Sequence, residues 1–391
     1  MENIIWSTGH IRKIDDAIEA KNCHIKDSKG NTYIDLESGV WATSLGHCHT
    51  RINSVIQSQI SKLIHSGFNY SHPIIEEAAQ NILDITNHID GKCEFLCSGS
   101  EAVEYAVRIA KTVTEKPLML YFSDSFFGAY GEASKKDNKN NYIYNRLECS
   151  CNETNEGCNG ECESFKNIPF DDIGVFLFEP GSSSGLVRFP SQKLINKIAE
   201  KITGKGGIIV ANEITTGIGR TGKWFGFQHY NIQADIIAMG KGIGNGYPVS
   251  AVSISKEIAD RLRKTSFLYS QSHQNDPLGA SVANEVINTI KEEKLLERCN
   301  KLSNYLIERL IEIKNTSSVI KEIRCRGFML GIEFFKNAEL AIDAMYKRGF
   351  LLLKRPYAEV IRIDPALTIE EETLDLFIEN FKQTIHSVEN K

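Results

Sequence analysis

The chain has 391 residues, enough to bury a large core and to form about two or three domains of ordinary size. Its 45 basic and 50 acidic residues nearly cancel, which excludes the basic stripe of a nucleic-acid binder and the polybasic segment that anionic membranes attract. No apolar run approaches the roughly 20 residues that span a bilayer, and "MENIIWSTGHIRKIDD" has no basic stretch followed by an apolar one. The expectation is a cytoplasmic protein whose partners are small molecules or protein chains, not nucleic acid or membrane.

The first element, "IKDSKGNTYIDLESG", reads as a β-hairpin around a Lys-Gly-Asn turn and is expected to join the C-terminal part of the chain. Beyond it, short β-branched strands alternate with helical periodicity, the pattern of a mostly parallel sheet wound with helices. In "CEFLCSGSEAVEYAVRIAKTV" residues 94–97 predict a strand, Ser98 and Gly99 a tight turn, and Val103, Val107 and Ile109 a helix. Gly99 lets backbone approach a ligand there, and Ser100 stands in a first helical turn whose N–H groups suit a phosphate. A plain helix cap explains the same serine. Next comes the strand 117–122, then "SFFGAYG", where Phe126 is either a core aromatic or a flat face for a planar ligand.

Ten cysteines are dilute in a chain of this length, and most lie in apolar, strand-like context where they read as reduced core thiols. "CSCNETNEGCNGEC" differs. Cys149, Cys151, Cys158 and Cys162 stand in a polar insertion at about 147–164, which reads either as a four-thiolate zinc or iron site or as a flexible loop carrying uncoordinated thiols. The spacing matches no common zinc knuckle, and the expectation taken is that no metal belongs to the working site.

Strands follow at 174–180, 207–213, 235–240 and 249–255. Asn212 and Glu213 stand where "GGIIVANE" leaves a buried strand, the place where open α/β sheets put their chemistry. In "AMGKGIGNGYP" Lys241 follows a strand and is surrounded by glycines. A lysine desolvated at such a point is an amine nucleophile toward carbonyls; the alternative is a surface lysine in a flexible turn. After Ser272 long amphipathic helices take over, with "RGFMLGIEFF" and "VIRIDPAL" as strands and a last helix at 369–389, the texture of a smaller α+β unit.

In this order, "SGSEAVEYAVRIAK", "FEP", "NEITTGIGRTGKWFGFQHY", "DIIAMGKGIGNGYPVSA" and "IRIDPAL" give the chain its resemblance to the class III, fold-type I aminotransferases, which use pyridoxal 5'-phosphate. The resemblance spans nearly the whole chain. It implies an α/β fold: a large domain (51–271) with a mostly parallel seven-stranded sheet, and a smaller α+β domain built from both termini (1–50 and 272–391). It implies that Lys241 forms the Schiff base and shuttles a proton. Gly99 and Ser100 would hold the phosphate, Phe126 and Ile214 would cover the two faces of the ring, and Thr215 would bond its phenolic oxygen. Ser272 would reach the phosphate of a neighbouring subunit in a homodimer with shared active sites. Arg362 would bind a substrate carboxylate with its bidentate fork, and Trp41 would add an apolar wall.

Departures from the family pattern cluster at the ring. Asn212 stands where most relatives have an Asp that keeps the pyridine nitrogen protonated, and an amide supplies no such charge. Thr215 replaces a Gln, Ser184 a Glu that swings against the carboxylate-binding Arg, and Phe127 and Ala129 a His and an Arg. The reaction expected is transfer of an amino group between an amine or amino acid and a 2-oxo acid or aldehyde. The alternatives are another reaction on the same cofactor (racemisation, elimination or decarboxylation) and a non-catalytic relative that keeps only the cofactor.

Overall fold

The computed structural model describes residues 3–135, 138–146, 158, 160–356 and 358–389. In chain order the strands are β1 (Ala17–Lys21), β2 (His24–Asp27), β3 (Thr32–Asp35), β4 (Lys92–Leu96), β5 (Leu118–Phe122), β6 (Asn141–Tyr144), β7 (Ile173–Phe178) and β8 (Ile208–Asn212). They continue with β9 (Ile236–Met239), β10 (Ser250–Ile254), β11 (Ile320–Arg326), β12 (Met329–Phe334), β13 (Phe350–Leu351), β14 (Leu353–Lys354) and β15 (Val360–Ile363).

A seven-stranded sheet in the order β4-β10-β9-β8-β7-β5-β6 forms the centre. The β9, β8, β7, β5 and β6 strands pair in parallel, and β10 runs antiparallel to both β9 and β4. The inner strands β7, β8, β9 and β10 are buried at every residue, which is why β7, β8 and β9 read as near-continuous apolar runs with no alternation; β10 buries Ser250 and Ser253 among its apolar residues. Apolar residues lie on both faces in separate clusters, one with the helix Gly99–Val113 and the other with Gln192–Thr203 and Pro277–Glu292. These helices cover the sheet as an α/β fold requires.

Two smaller four-stranded sheets complete the molecule, β1-β2-β3-β13 and β11-β12-β15-β14. The hairpin expected near residue 30 is β2–β3, with Gly30 in its turn at φ 87°. It meets the C-terminal part through the parallel pair β3–β13, Ile34 opposite Phe350. The strand β6 was not foreseen, because of its four residues only Tyr144 is buried and the preceding "KKDNKNN" reads as a polar tract.

In the motif "TTGIGRTG", the part from Gly219 to Gly222 is structural. Arg220 is fully buried and its Nη1 donates to the carbonyls of Phe328 (3.1 Å) and Pro365. A Cβ at Gly219 would stand 2.9 Å from Leu367, and one at Gly222 would fall on Asn300. The turn between β8 and β9 is thereby locked to the β11–β12 turn and to the segment after β15, the part of the chain that carries Arg362.

Candidate active site

Four strand ends converge on one place. Asn212 ends β8, Lys241 follows β9, Glu179 follows β7, and Gly99 and Ser100 open the helix after β4. An inner cavity of about 190 Å³ is lined by Ser98, Gly99, Ser100, Phe126, Asn212, Ile214, Thr215 and Lys241. An outer cavity of about 500 Å³ is lined by Trp41, Phe126, Ser183, Ser184, Lys241, Arg355 and Arg362, among others. Phe126, Ser183 and Lys241 belong to both, so the two are continuous at the lysine.

The helix Gly99–Val113 is capped by Ser98, whose Oγ accepts from the Glu101 N–H at 3.2 Å. The cap is therefore Ser98 and not Ser100. The Ser100 hydroxyl instead accepts from the Ala129 N–H at 2.9 Å and pins the Phe126–Ala129 loop to the helix. Close packing explains the glycines: a Cβ on Gly99 would lie 2.8 Å from Ile214 Cγ2, and one on Gly128 2.7 Å from Ser100 Oγ. The start of this helix, with the positive end of its dipole, lies at the inner cavity, which Ser98, Gly99 and Ser100 line.

Lys241 adopts φ 46°, between two glycines. Gly242 takes no Cβ, since one would lie 2.5 Å from Ser44 Oγ. Burial lowers the lysine pKa to about 8; Glu179 opposes that shift and Arg362 adds to it. A neutral amine near pH 8 is what a nucleophile toward a carbonyl requires. Glu179 is buried, accepts from the Phe126 N–H at 3.1 Å and from the Ser183 hydroxyl, and is pushed up to about 8 by burial. It is a member of the site that the sequence reading did not single out, although "FEP" marked its position.

Asn212 is 2 % exposed, and its amide is fully oriented. Nδ2 donates to the Phe126 carbonyl at 3.0 Å and Oδ1 accepts from the Ile214 N–H at 3.3 Å. One Nδ2 hydrogen is thus engaged and the other remains for a ligand. The Thr215 hydroxyl is buried without a hydrogen-bond partner among the described residues, and Thr215 lines the inner cavity. Phe126 presents a half-exposed ring at the junction of the cavities.

Arg362, on β15, is 3 % exposed and lies with its guanidinium carbon 3.6 Å from the Trp41 ring centroid. The lysine Nζ is 5.6 Å from the same centroid. Asp364 is 3.3 Å from Arg362 Nε, but the Nε–H and Nη2 groups have no hydrogen-bond partner among the described residues. Ser184 lines the same cavity, and its hydroxyl has no hydrogen-bond partner among the described residues. Trp41 reaches this position through four consecutive residues in the left-handed region, Ser38, Gly39, Val40 and Trp41, with φ between 48° and 67°. Such backbone costs roughly 1–2 kcal/mol per non-glycine residue. The turn is held by Asp35, which accepts from the Glu37 and Ser38 N–H groups, and by the Ser38 hydroxyl, which donates to the Asp364 carbonyl at 2.6 Å. Trp41 was expected only as an apolar wall; it also provides the face on which Arg362 rests.

The site residues expected from the sequence therefore meet, with one exception. Ser272 is exposed and is not part of either cavity lining. Of the cysteine cluster, Cys149 and Cys151 lie outside the described residues, and Cys158 and Cys162 lie together near Tyr144 at the far edge of the sheet.

The sequence profile of the family "Aminotransferase class-III" matches residues 11–385. The chain belongs to this family. It is 28 % identical to an acetylornithine aminotransferase of Methanosarcina mazei, over 93 % of this chain and 90 % of that protein. It is equally similar, at 28 % identity over 95 % of this chain and 91 % of the other, to a leucine/methionine racemase of Thermococcus litoralis. Among solved structures, an acetylornithine aminotransferase of Elizabethkingia anophelis superposes with a TM-score of 0.84 at 23 % identity, covering 98 % of this chain and 96 % of that one. The chain is a pyridoxal-phosphate-dependent enzyme that transfers amino groups.

The residues present fit that cofactor. The inner cavity offers N–H groups at a helix start, a lysine amine with lowered pKa, an aromatic face, an aliphatic face at Ile214, a spare amide hydrogen at Asn212 and an unpartnered hydroxyl at Thr215.

Proposed function

We propose that the aminotransferase acts on carboxylate-bearing substrates, passing an amino group between an amino acid and a 2-oxo acid, with Lys241 and Arg362 as the two fixed points. The observation that carries this reading is buried Arg362 in the cavity shared with Lys241: its Nη2 has no hydrogen-bond partner among the described residues, and its Nε meets Asp364 only as an ion pair at 3.3 Å. A buried guanidinium with open donors is costly unless a carboxylate completes it.

Gly99 and Ser100 would hold the cofactor phosphate, Phe126 and Ile214 its two ring faces, Asn212 its ring nitrogen and Thr215 its phenolic oxygen. The bound cofactor supplies a carbonyl that condenses with amines and a ring that accepts the electrons left when the neighbouring carbon loses a proton. Lys241 takes that proton from the substrate carbon and returns it, which a pKa near 8 permits at neutral pH. Arg362 fixes the carboxylate, so that the carbon to be deprotonated is presented to the lysine. Asn212 would donate to an unprotonated ring nitrogen, leaving the ring a weaker electron acceptor than it would be beside a carboxylate.

The same reading makes the protein a cytoplasmic homodimer in which Ser272 reaches the neighbouring subunit's phosphate site; its exposure on its own chain suits that role. The test is an absorbance-monitored titration of the cofactor-loaded protein with a panel of amines and amino acids. Conversion to the amino form of the cofactor with release of a 2-oxo acid is the expected result. Deuterium uptake or racemisation in D2O without any 2-oxo acid would overturn it in favour of another reaction, and no response to the whole panel would leave only cofactor binding.

A further inference from the structure

His65, His273 and Asp276 meet outside both cavities, at the start of the helix Pro277–Glu292. One ligand atom from each lies within 4.8 Å of the other two. His65 Nδ1 is 2.6 Å from Asp276 Oδ1, and His273 Nδ1 is 2.6 Å from Asp276 Oδ2, so each carboxylate oxygen faces a different imidazole. The two rings are tilted by 58°, with their centroids 5.0 Å apart.

The helix does not explain where this carboxylate points. Asp276 is the N-cap, where an aspartate ordinarily accepts from an N–H of the first turn, yet its side chain makes no cap bond. It turns to the two histidines instead, and is mostly buried while both imidazoles stand on the solvent side. Two imidazole nitrogens and one carboxylate are the donor set that zinc accepts where a fourth position stays open.

The backbone that carries these residues is fixed. The Asn275 N–H donates to the Phe95 carbonyl at 3.0 Å, and the Phe95 N–H donates to Asn275 Oδ1 at 2.9 Å. This pair docks the turn from His273 to Asp276 on β4, the end strand of the central sheet, and Asn275 Nδ2 adds a bond to Glu94 at 3.0 Å. His65 comes from the segment between the helices Thr50–Ile60 and Pro73–Thr86, both of which pack against Pro277–Glu292. Gln59 Nε2 braces that segment by donating to the Leu63 carbonyl at 2.8 Å.

We propose that His65, His273 and Asp276 form a zinc site that clasps the segment carrying His65 to the start of the helix Pro277–Glu292. Two ligands bound at about 2.0–2.1 Å to a tetrahedral zinc are about 3.3 Å apart, so the ion enters once the exposed imidazoles back away from the carboxylate by less than about 1 Å. Each imidazole then carries its proton on Nε2 and offers the Nδ1 lone pair, with no net loss of protons. Three protein ligands leave the fourth position to water. The site stands one residue from Ser272 and does not depend on the role proposed for that serine.

The experiment strips the cofactor-loaded protein with a chelator and titrates it with zinc chloride by calorimetry. Binding of about one zinc per chain is expected. Removal of one ligand, in His65→Ala or His273→Ala, should weaken it by more than about a hundred-fold, beyond what losing a ligand's hydrogen-bond partner costs. Both histidines are exposed, so neither substitution should much alter the zinc-free melting temperature, and zinc should raise that temperature in the unaltered protein alone. X-ray absorption at the zinc edge of the unaltered protein reads the ligands without any variant, and imidazole scattering with no sulfur shell is expected. Failure of the unaltered protein to bind zinc, one-to-one binding kept in the double variant His65→Ala/His273→Ala, or a zinc shell without imidazole would each overturn the proposal.

Discussion

The Arg362 guanidinium rests on the face of Trp41, 3.6 Å from the ring centroid, and the Lys241 amine lies 5.6 Å from the same centroid. One indole thus fixes the guanidinium proposed to hold a substrate carboxylate relative to the amine proposed as the base. With Ser184 in place of a carboxylate, the ring and Asp364 are what hold Arg362. A desolvated cation–π contact is worth about 2 kcal/mol, so Trp41→Leu is expected to raise KM for carboxylate substrates roughly thirty-fold. Trp41→Phe should keep most of the affinity, and amines lacking a carboxylate should be little affected by either change. A uniform loss on all substrates would instead mark the tryptophan as a wall.

The Lys241 amine is held at about 8 in the fold against an ordinary value of 10.5, chiefly by burial. Between those values the unfolded chain binds the proton and the folded chain does not, so stability contributed by this group rises with pH through that window. Below pH 8 both states are protonated and the fold carries the full cost of the buried ammonium. Lys241→Met is therefore expected to stabilise the cofactor-free chain at pH 7, with an advantage that shrinks as pH approaches 10. Thermal melts of the two cofactor-free proteins at pH 7, 8.5 and 10 check the sign. In the same pH range, the rate at which the cofactor-free protein reacts with pyridoxal phosphate should climb to a plateau above pH 8.

The parts of the fold legible in the sequence are those governed by local pattern. The strand, turn and helix at 92–113 showed themselves through periodicity and through the Gly99 and Ser100 pair, because a helix start and a close backbone approach are local requirements. Lys241 was legible because glycines on both sides signal a crowded strand end. The Trp41–Arg362 stack was not, since it depends on a left-handed turn that bonds to Asp35 and to the distant Asp364 carbonyl help hold in place. Glu179 escaped notice for a similar reason: its role lies in bonds to Phe126 and Ser183 that no spacing rule describes. The "TTGIGRTG" run signalled the family while its physical role, anchoring one part of the chain on another, became visible only through the partners of Arg220.

Asn212 is suited to its place before any cofactor is considered. Its Nδ2 donates to the Phe126 carbonyl at 3.0 Å. A carboxylate in the same position would face that carbonyl with a second acceptor and leave it unpaired. Asn212→Asp is expected to destabilise the cofactor-free chain by about 1–3 kcal/mol, the cost of an unmade buried hydrogen bond. Urea denaturation measures it. In the cofactor-loaded protein the same substitution supplies the charge that favours a protonated ring nitrogen, so its absorbance-versus-pH curve should shift upward. An unchanged curve would remove Asn212 from the ring nitrogen.

Arg220 offers a test of the division between binding and scaffolding within the family motif. Its side chain is fully buried, with Nη1 shared between the Phe328 and Pro365 carbonyls and with Asp364 close enough to raise its pKa against the lowering by burial. Removing it strands two carbonyls and leaves Asp364 with Arg362 as its cationic partner. Breaking a buried charged network by deleting one member costs about 3–5 kcal/mol, and Arg220→Leu is expected to lose stability in that range by urea denaturation. Asp364 would then draw more firmly on Arg362, so the surviving folded enzyme should show a raised KM for carboxylate substrates with kcat little altered. A fall in kcat at full stability would place Arg220 in the chemistry and contradict the anchoring role.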